Sequence, residues 1–290
     1  MTAAVVSRVL RWYDENARDL PWRRPEASPW QITVSEFMLQ QTPVDRVLEP
    51  WRRWVDRWPS PTSLAAAPAG EAVRAWGRLG YPRRALRLHQ SAVLITQQHG
   101  GEVPDEASAL LALPGVGSYT AAAILSFAFG QRHVVLDTNV RRVLARVANG
   151  AAFPGAATTA AEIVLAESFL PRSPARAARW AVASMELGAV VCTARAPRCD
   201  VCPVSSACAW RREGYPAWAG PVRRGQSYTG TDRQCRGVLL GLLRSSDGPV
   251  GSAELDAAWV DREQRERALS SLVLDGLVVP SGELAYTLPG

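Results

Sequence analysis

The amino-acid sequence predicts an all-α protein that carries a small α+β module at its C-terminal end. Over residues 1–210 apolar side chains recur every three or four positions, as at Leu88, Ala92 and Ile95, which is the period of a helix with one buried face. Alternating runs of β-branched residues, which would indicate strands, are scarce before residue 230. The composition changes at about residue 210, where glycine, proline and polar residues become frequent.

Start and stop signals divide the first part of the chain into helices. Pro104 and Asp105 precede one helix, and Gly80, Gly130 and Gly188 lie near the ends of others. The predicted helices span residues 3–15, 31–53, 69–79, 83–99, 106–111, 119–129, 139–146, 156–169 and 176–187.

The last part of the chain forms a separate pattern. We predict a core at 1–215, a linker at 216–231 and a module at 232–290. Within the module, the periodicity predicts three helices followed by two short strands, an order typical of a winged-helix-like unit. These elements span 236–243, 253–259, 262–275, 277–280 and 283–288.

Composition and charge limit the function classes. No stretch of 18 apolar residues is present, and the N-terminal segment lacks the long apolar core of a secretory signal, so we expect a cytoplasmic protein with no membrane partner. The net charge of +6 favours a polyanionic partner. All 33 basic residues are arginines, so no lysine is present to form a Schiff base with a substrate.

Four of the five cysteines form one cluster with the spacing C-x6-C-x2-C-x5-C: Cys192, Cys199, Cys202 and Cys208. Four thiolates in a short loop can hold either a tetrahedral zinc ion or an iron–sulfur cluster. The first gap is longer than the C-x2-C pairs of ordinary zinc ribbons, which favours a [4Fe–4S] cluster. Cys235 lies outside the motif, and we expect it to be a buried, inert thiol.

A glycine-rich turn precedes the predicted helix at 119–129. Glycines in Leu113-Pro-Gly-Val-Gly117 permit a tight turn between two helices and a close approach of the backbone to a ligand. The free N–H groups at the start of the next helix suit a phosphate.

Three segments together resemble the adenine DNA glycosylase (MutY) family of the helix-hairpin-helix, endonuclease III-like superfamily. They are the cysteine loop that follows Glu-Leu-Gly-Ala189, the Leu-Pro-Gly-Val-Gly turn, and Ser35-Glu-Phe-Met-Leu-Gln-Gln-Thr42. The resemblance covers roughly residues 5–210. It implies a two-lobed helix-hairpin-helix glycosylase core, with a six-helix lobe at about 26–134 and a lobe formed by 1–25 and 135–215 that carries the iron–sulfur cluster loop.

The resemblance also implies a reaction and its catalytic residues. Glu36 matches the general acid that protonates adenine at N7, and its apolar surroundings should raise its pKa. Asp137 matches the carboxylate that stabilises positive charge on the sugar, and it also precedes a predicted helix as an N-cap that keeps it ionised. Tyr119 stands where bifunctional relatives have the Schiff-base lysine, with Asn139 as its neighbour beside the sugar. Base release without strand cleavage is therefore expected.

Further positions match DNA-contacting residues of the family. The resemblance assigns Arg23 to the base pocket, and it assigns a second group to the duplex around the lesion and a third to the phosphate-binding hairpin. The second group is Leu39, Gln40, Gln41, Thr42 and Tyr81, and the third is Leu113, Gly115, Val116, Gly117 and Ser118. The expected partner is double-stranded DNA with adenine opposite 8-oxoguanine or G, bound by a monomer at the bacterial nucleoid.

Three positions depart from the family, and two other functions stay open. Thr138 replaces a usual glycine, Pro82 a second tyrosine beside 8-oxoguanine, and Val182 a Glu or Gln that holds adenine. The first alternative is a mismatch thymine DNA glycosylase, although thymine has no N7 for Glu36 to protonate. The second alternative is a non-catalytic iron–sulfur DNA-binding protein, which would not need both carboxylates.

Overall fold

The computed structural model describes residues 2–218, 220 and 228–290, and these residues are mostly helical. They form two compact units. Residues 1–32, 105–111 and 116–222 belong to the first unit, and residues 33–104, 112–115 and 223–290 belong to the second. The predicted all-α class with a small C-terminal α+β module is confirmed. Among the described residues, no helix combines the length and the apolar character needed to cross a bilayer.

The first unit is built on α1, α7 to α12 and the beginning of α2. The bounds are α1 Thr2–Asn16, α2 Pro29–Leu39, α7 Ala107–Leu111, α8 Ser118–Phe129, α9 Thr138–Asn149, α10 Ala160–Phe169, α11 Pro174–Val190 and α12 Ala209–Arg212. Its core joins Val9 of α1, Leu144 of α9 and Leu187 of α11, all almost fully buried. Phe169 and Trp180 stack in this core with ring centroids 6.1 Å apart.

The second unit contains the rest of α2 and four further helices before the C-terminal module. Their bounds are α3 Val44–Arg57, α4 Pro61–Ala65, α5 Ala69–Trp76 and α6 Arg83–Gln98. Edge-to-face contacts link the ring of Trp54 to those of Trp58 and Trp76, with centroids 4.8 and 5.6 Å apart. These large buried rings explain why such short helices form a stable layer.

The C-terminal module has the predicted three helices and hairpin, together with one strand that the sequence did not reveal. In order, its elements are α13 Asp232–Ser245, β1 Val250–Gly251, α14 Ser252–Ala258, α15 Arg262–Leu274, β2 Val279–Pro280 and β3 Ala285–Thr287. The sheet order is β1-β3-β2, with both pairs antiparallel and Val250 opposite Tyr286. A two-residue strand is too short to show a period of two, which is why β1 escaped prediction.

One predicted helix was wrong. The helix expected at 31–53 is two helices, because α2 ends at Leu39 and α3 begins at Val44. Gln41 has a left-handed backbone with φ of +55°, and Pro43 lacks the N–H that a continuous helix requires. Apolar spacing alone could not reveal this break. The short helix α4 was also missed, and half of the linker predicted at 216–231 lies outside the described residues.

Both ends of α5 are bonded to residues of the C-terminal module. At its start, the N–H of Gly70 donates to the carbonyl of Pro289 at 2.6 Å. At its end, Arg244 donates through Nε to the carbonyl of Val73 at 2.9 Å and through a terminal nitrogen to the carbonyl of Gly77. A cation at a helix C-terminus also complements the helix dipole. The module therefore supports α5 within the second unit.

We predict that Gly70→Ala lowers the free energy of unfolding, whereas the same change at Gly241 does not. A Cβ atom at Gly70 would lie 2.4 Å from the carbonyl oxygen of Pro289, whereas one at Gly241 of α13 meets nothing within 4 Å. Overpacking costs about 1–3 kcal/mol, whereas replacing a helical glycine with alanine gains roughly 0.5–1 kcal/mol. Denaturant unfolding of the two variants should give opposite signs, and equal midpoints would refute the close contact.

Candidate active site and cysteine loop

Asp137 is the N-cap of α9, as the sequence predicted. One carboxylate oxygen accepts from the N–H of Val140 and the other from the side-chain amide of Asn139, both at 2.6 Å. Burial raises the pKa of Asp137, and the hydrogen bonds from Val140 and Asn139 act in the opposite direction. The helix start therefore favours the ionised form, as expected, but burial outweighs it and the pKa lies above its ordinary value.

Hydrogen bonds of Asn139 connect Asp137 to the cysteine loop through Arg142. The side-chain oxygen of Asn139 accepts from Arg142 at 2.9 Å, and the same guanidinium donates to the carbonyls of Gly188 at 2.7 Å and Cys192 at 2.8 Å. A Cβ atom at Gly188 would lie 2.7–2.9 Å from Asn139, so this glycine lets α9 and α11 approach. The sequence analysis missed Arg142, because nothing in its local pattern distinguishes it from a surface arginine.

Glu186 is a second residue that the sequence analysis missed. It is fully buried on α11, and both of its oxygens bind arginines: Arg18 at 2.6 and 2.8 Å and Arg23 at 2.8 Å. Burial alone would raise the pKa of Glu186, but the two guanidiniums lower it below its ordinary value. Arg23, predicted to line the base pocket, is therefore fixed by a buried carboxylate. The place of Glu186 in Glu-Leu-Gly-Ala189, directly before the cysteine loop, was the signal that the sequence contained.

Tyr119 lies half-buried in the first turn of α8, within the unit that contains Asp137. It packs against a small buried cluster formed by Ala123, Val135 and Ala181. Because Val135 precedes Asp137 by two residues, this packing ties the start of α8 to the segment that leads into the catalytic candidate. The Tyr119 side chain thus packs against buried apolar residues.

The four clustered cysteines line one cavity. The pKa of Cys202 is raised to about 11, mainly by burial and also by the charges of the three other cysteines, which are therefore its neighbours. Arg146 donates to the sulfur of Cys192 at 3.3 Å. Among residues 2–218, 220 and 228–290, no three His, Cys, Asp or Glu side chains converge closely enough to coordinate one metal ion.

Glu36 lies on α2 in the second unit and is only 6% exposed. The apolar neighbours Val34, Phe37 and Met38 are completely buried, and so are the polar neighbours Thr33 and Ser35. Glu36 and Asp137 belong to different units.

The predicted hairpin residues divide into buried and exposed positions. Leu113 and Val116 are buried, whereas Gly117 and Ser118 are exposed where α8 begins, with Gly117 as the N-cap. Gly115 has φ of +83°, and a Cβ atom there would lie 3.0 Å from side-chain atoms of the second unit, so this turn requires glycine. The start of α8 at Gly117 and Ser118 therefore lies at the surface, where a phosphate could approach it.

The predicted duplex-contacting residues lie on two loops of the second unit that contact each other. Leu39 and Gln40 are half-buried and Gln41 is exposed, whereas the hydroxyl of buried Thr42 donates to the carbonyl of Leu79 at 3.3 Å. Tyr81, in the other loop, is 54% exposed. The structure thus brings together residues about forty positions apart in the sequence.

Comparisons with known sequences agree with this arrangement. Residues 34–167 match a family model described as the HhH-GPD superfamily base excision DNA repair protein. The chain is 54% identical to the adenine DNA glycosylase of Mycobacterium tuberculosis over 98% of its length and 93% of that protein. It is 52% identical to the enzyme of Mycolicibacterium smegmatis, covering 97% and 95%, and 42% identical to the human enzyme, covering 70% and 39%.

Solved structures agree on the fold. A thermostable thymine-DNA glycosylase superposes with a TM-score of 0.65 at 28% identity, covering 73% of this chain and 97% of the other. An endonuclease III–DNA complex superposes with a TM-score of 0.61 at 20% identity, covering 72% and 94%. Because the mycobacterial relatives match over nearly their whole length, whereas the thymine enzyme shares 28% identity, the chain belongs to the adenine DNA glycosylase (MutY) family of helix-hairpin-helix base excision repair proteins.

Proposed function

We propose that the protein hydrolyses the N-glycosidic bond of adenine mispaired with 8-oxoguanine or G in double-stranded DNA. The observation that carries this proposal is the carboxylate of Asp137, fixed by two hydrogen bonds of 2.6 Å at the start of α9. A carboxylate held in this way cannot rotate away as positive charge develops on the sugar. Electrostatic stabilisation by a preorganised group is usually the largest catalytic contribution.

The two carboxylates have separate roles in this proposal. Glu36 donates a proton to N7 of adenine, so the base leaves as a neutral molecule when the bond between the sugar and N9 breaks. The bonding electrons go to the base, and Asp137 stabilises the cationic sugar that remains. Water then adds to the anomeric carbon and loses a proton to Glu36, which returns to its acid form.

The sugar is not attacked by an amine in this reaction. The sequence contains no lysine, and Tyr119 occupies the position at which bifunctional relatives have one. Tyr119 and Asn139 instead support Asp137 beside the sugar. Base release therefore leaves an intact strand with an abasic site, and strand breaks appear only after added alkali.

The charge distribution supports DNA binding by the helical core rather than by the C-terminal module. Residues 232–290 carry nine acidic side chains and six arginines, a net charge of −3, whereas the whole chain carries +6. The remaining 231 residues therefore carry +9. Phosphate binding requires positive charge, so this distribution supports a DNA-contacting surface on the core, and binding to DNA would bring the protein to the bacterial nucleoid.

The cysteine loop fits a [4Fe–4S] cluster better than a zinc ion. A single zinc ion needs four ligands within about 2.3 Å of one point. Here Cys192, Cys199, Cys202 and Cys208 line one cavity, and no three of the described candidate ligands converge on one point. A cluster held by these four thiolates would cross-link the loop between α11 and α12, and Arg146 and Arg142 would offset the charge of the thiolates.

We predict that Cys202→Ser lowers the iron content of the purified protein and its free energy of unfolding. A serine oxygen is a poor ligand for iron in such a cluster, and the loop would lose one of its four attachments. Cys235→Ser is the matched control, because this buried thiol lies on α13 of the C-terminal module. Iron analysis with thermal unfolding checks both variants. Equal iron content in the two variants would refute the cluster ligands.

We predict that Asn139→Ala shifts the acid limb of base release to higher pH. Burial raises the pKa of Asp137 and the amide of Asn139 lowers it, so removing that donor raises the pKa further. Activity needs the ionised carboxylate and is lost as the pH falls through its pKa. Single-turnover rates measured across pH report the shift. Asn149→Ala, at the other end of α9, is the control, and an unchanged acid limb for Asn139→Ala would contradict the assignment.

The assay that tests the function is single-turnover base release from duplexes that carry A or T, each opposite G or 8-oxoguanine. Half of each sample receives alkali before strand analysis. Adenine release with alkali-dependent breaks supports the proposal. Thymine release would move the protein to the mismatch thymine class, and no release from any duplex would leave a non-catalytic iron–sulfur DNA-binding protein.

A further inference from the structure

Arg84 is a buried arginine with no carboxylate partner among its described contacts. It is the second residue of α6 and is only 7% exposed. A cation near a helix N-terminus opposes the helix dipole, so this position is unfavourable for its own helix. Burial lowers the pKa of Arg84 to about 10, which still leaves it charged at neutral pH. Its charge must therefore be compensated by groups outside α6.

The compensation comes from the end of α2, the helix that carries Glu36. One terminal nitrogen of Arg84 donates to the carbonyl oxygens of Phe37 at 2.8 Å and Met38 at 3.2 Å, and also to that of Gln40. Phe37 and Met38 belong to the last turn of α2, whose carbonyls have no partner within the helix, and Gln40 directly follows the helix. Arg84 thus acts as the C-terminal cap of α2 and fixes where this helix ends.

The other terminal nitrogen of Arg84 joins the two loops. It donates to the hydroxyl of Thr42 and to the carbonyl of Gly80, both at 3.1 Å. The same carbonyl of Gly80 accepts from the indole of Trp76 at 3.0 Å. The guanidinium also lies over the rings of Trp76 and Tyr81, 5.3 and 5.4 Å from their centroids. One side chain therefore holds both loops and the inner face of the exposed Tyr81 ring.

Both loops contain a strained residue. Gln41 has φ of +55° and Tyr81 has φ of +47°, and these are two of the three non-glycine residues with a left-handed backbone in the described part of the chain. Such conformations persist only where the surroundings hold them, and they occur often at functional sites. Arg84 supplies that restraint, because three of its five hydrogen bonds end at Gln40, Thr42 and Gly80, each of which is adjacent to Gln41 or Tyr81.

We propose that Arg84 is a positioning residue that preorganises the Gln41 and Tyr81 turns for insertion into the duplex beside the mispair. This role rests on the proposed function, which places those turns at the DNA. Free of Arg84, both turns would relax to ordinary backbone conformations, and the enzyme would have to order them again on each encounter with a mispair. The free-energy cost of ordering the turns weakens binding to the mispair, whereas contacts to phosphate elsewhere on the core remain.

The test is a double-mutant cycle of Arg84→Met with Tyr81→Ala, measured as Kd for a duplex with adenine opposite 8-oxoguanine and for a matched duplex. We expect Arg84→Met to weaken mispair binding about tenfold or more, with matched-duplex binding within roughly twofold of the parent protein. Combining it with Tyr81→Ala should add little, because both changes remove the same ordered turn. Arg84→Lys, which cannot reach both loops with a planar fork, should recover only part of the affinity.

Two controls separate this proposal from loss of folding and from the proposed function. Arg262→Met removes the same charge from an exposed position of the C-terminal module and should leave both affinities unchanged. Titration of the active fraction corrects for misfolded protein. If the parent enzyme releases adenine but the two losses multiply, or matched-duplex binding falls equally, Arg84 has no positioning role. If the parent protein releases no adenine, the proposed function itself fails.

Discussion

Asp137→Asn should lower the rate of adenine release by about a thousandfold or more while duplex binding survives. The neutral amide keeps the shape of the side chain but cannot offset the positive charge that develops on the sugar. Asparagine is also a good N-cap, so α9 should still begin at Thr138. The amide nitrogen would face the donor of Asn139, which lies 2.6 Å from the carboxylate, so a stability loss of about 1 kcal/mol is expected.

Single-turnover kinetics, fluorescence anisotropy with mispaired duplex, and thermal unfolding measure these three quantities. Asp232→Asn is the matched control, because it makes the same change at an exposed position in the first turn of α13. Its rate should equal that of the parent protein. Normal turnover by Asp137→Asn would remove Asp137 from the mechanism, and a parallel loss of binding and folding would show that its role is structural.

Local chemistry explains what the sequence could predict. The cysteine loop, the Leu113–Gly117 turn and the N-cap at Asp137 are short segments whose spacing carries their role, and the structure has the cysteines around one cavity and Asp137 at a helix start. The module helices followed from apolar periodicity in the same way. Whether these residues perform the roles assigned to them is what the proposed experiments measure.

Features that depend on distant residues could not be predicted in this way. Glu186 acquires its surroundings from Arg18 and Arg23, which are more than 160 positions away in the sequence. Arg84 on α6 donates to the carbonyl of Gln40, beside the left-handed turn at Gln41 and 44 positions away in the sequence. Such interactions are decided by packing, which neither residue propensity nor periodicity records.

One departure from the family concerns the Tyr81 turn. Pro82 follows Tyr81 where relatives have a second tyrosine, and in the structure it is the N-cap of α6 directly before Arg83 and Arg84. A proline there fixes φ near −62° and stiffens the turn that carries Tyr81. A single aromatic ring on a rigid, arginine-supported turn thus stands where the family pattern has two adjacent rings.

Glu36→Gln should reduce adenine release by about a hundredfold to ten-thousandfold, the usual contribution of a general acid. Glutamine preserves size and hydrogen bonding in this buried position, 6% exposed, but it cannot give a proton to N7. Glu49→Gln is the matched control, because the Glu49 side chain lies exposed on α3, and this change should leave the rate unchanged. Single-turnover base release measures both variants.

A duplex with 7-deazaadenine distinguishes the acid role from simple packing. This base carries carbon in place of N7, so protonation at that position cannot assist its departure. The parent enzyme should therefore release 7-deazaadenine as slowly as Glu36→Gln releases adenine. With this base, Glu36→Gln should lower the rate little further, because either change alone already prevents proton transfer to N7. If the two losses multiply instead, Glu36 acts on some other step, such as activation of water. Rapid release of 7-deazaadenine by the parent enzyme would show that base protonation at N7 does not limit the reaction at all.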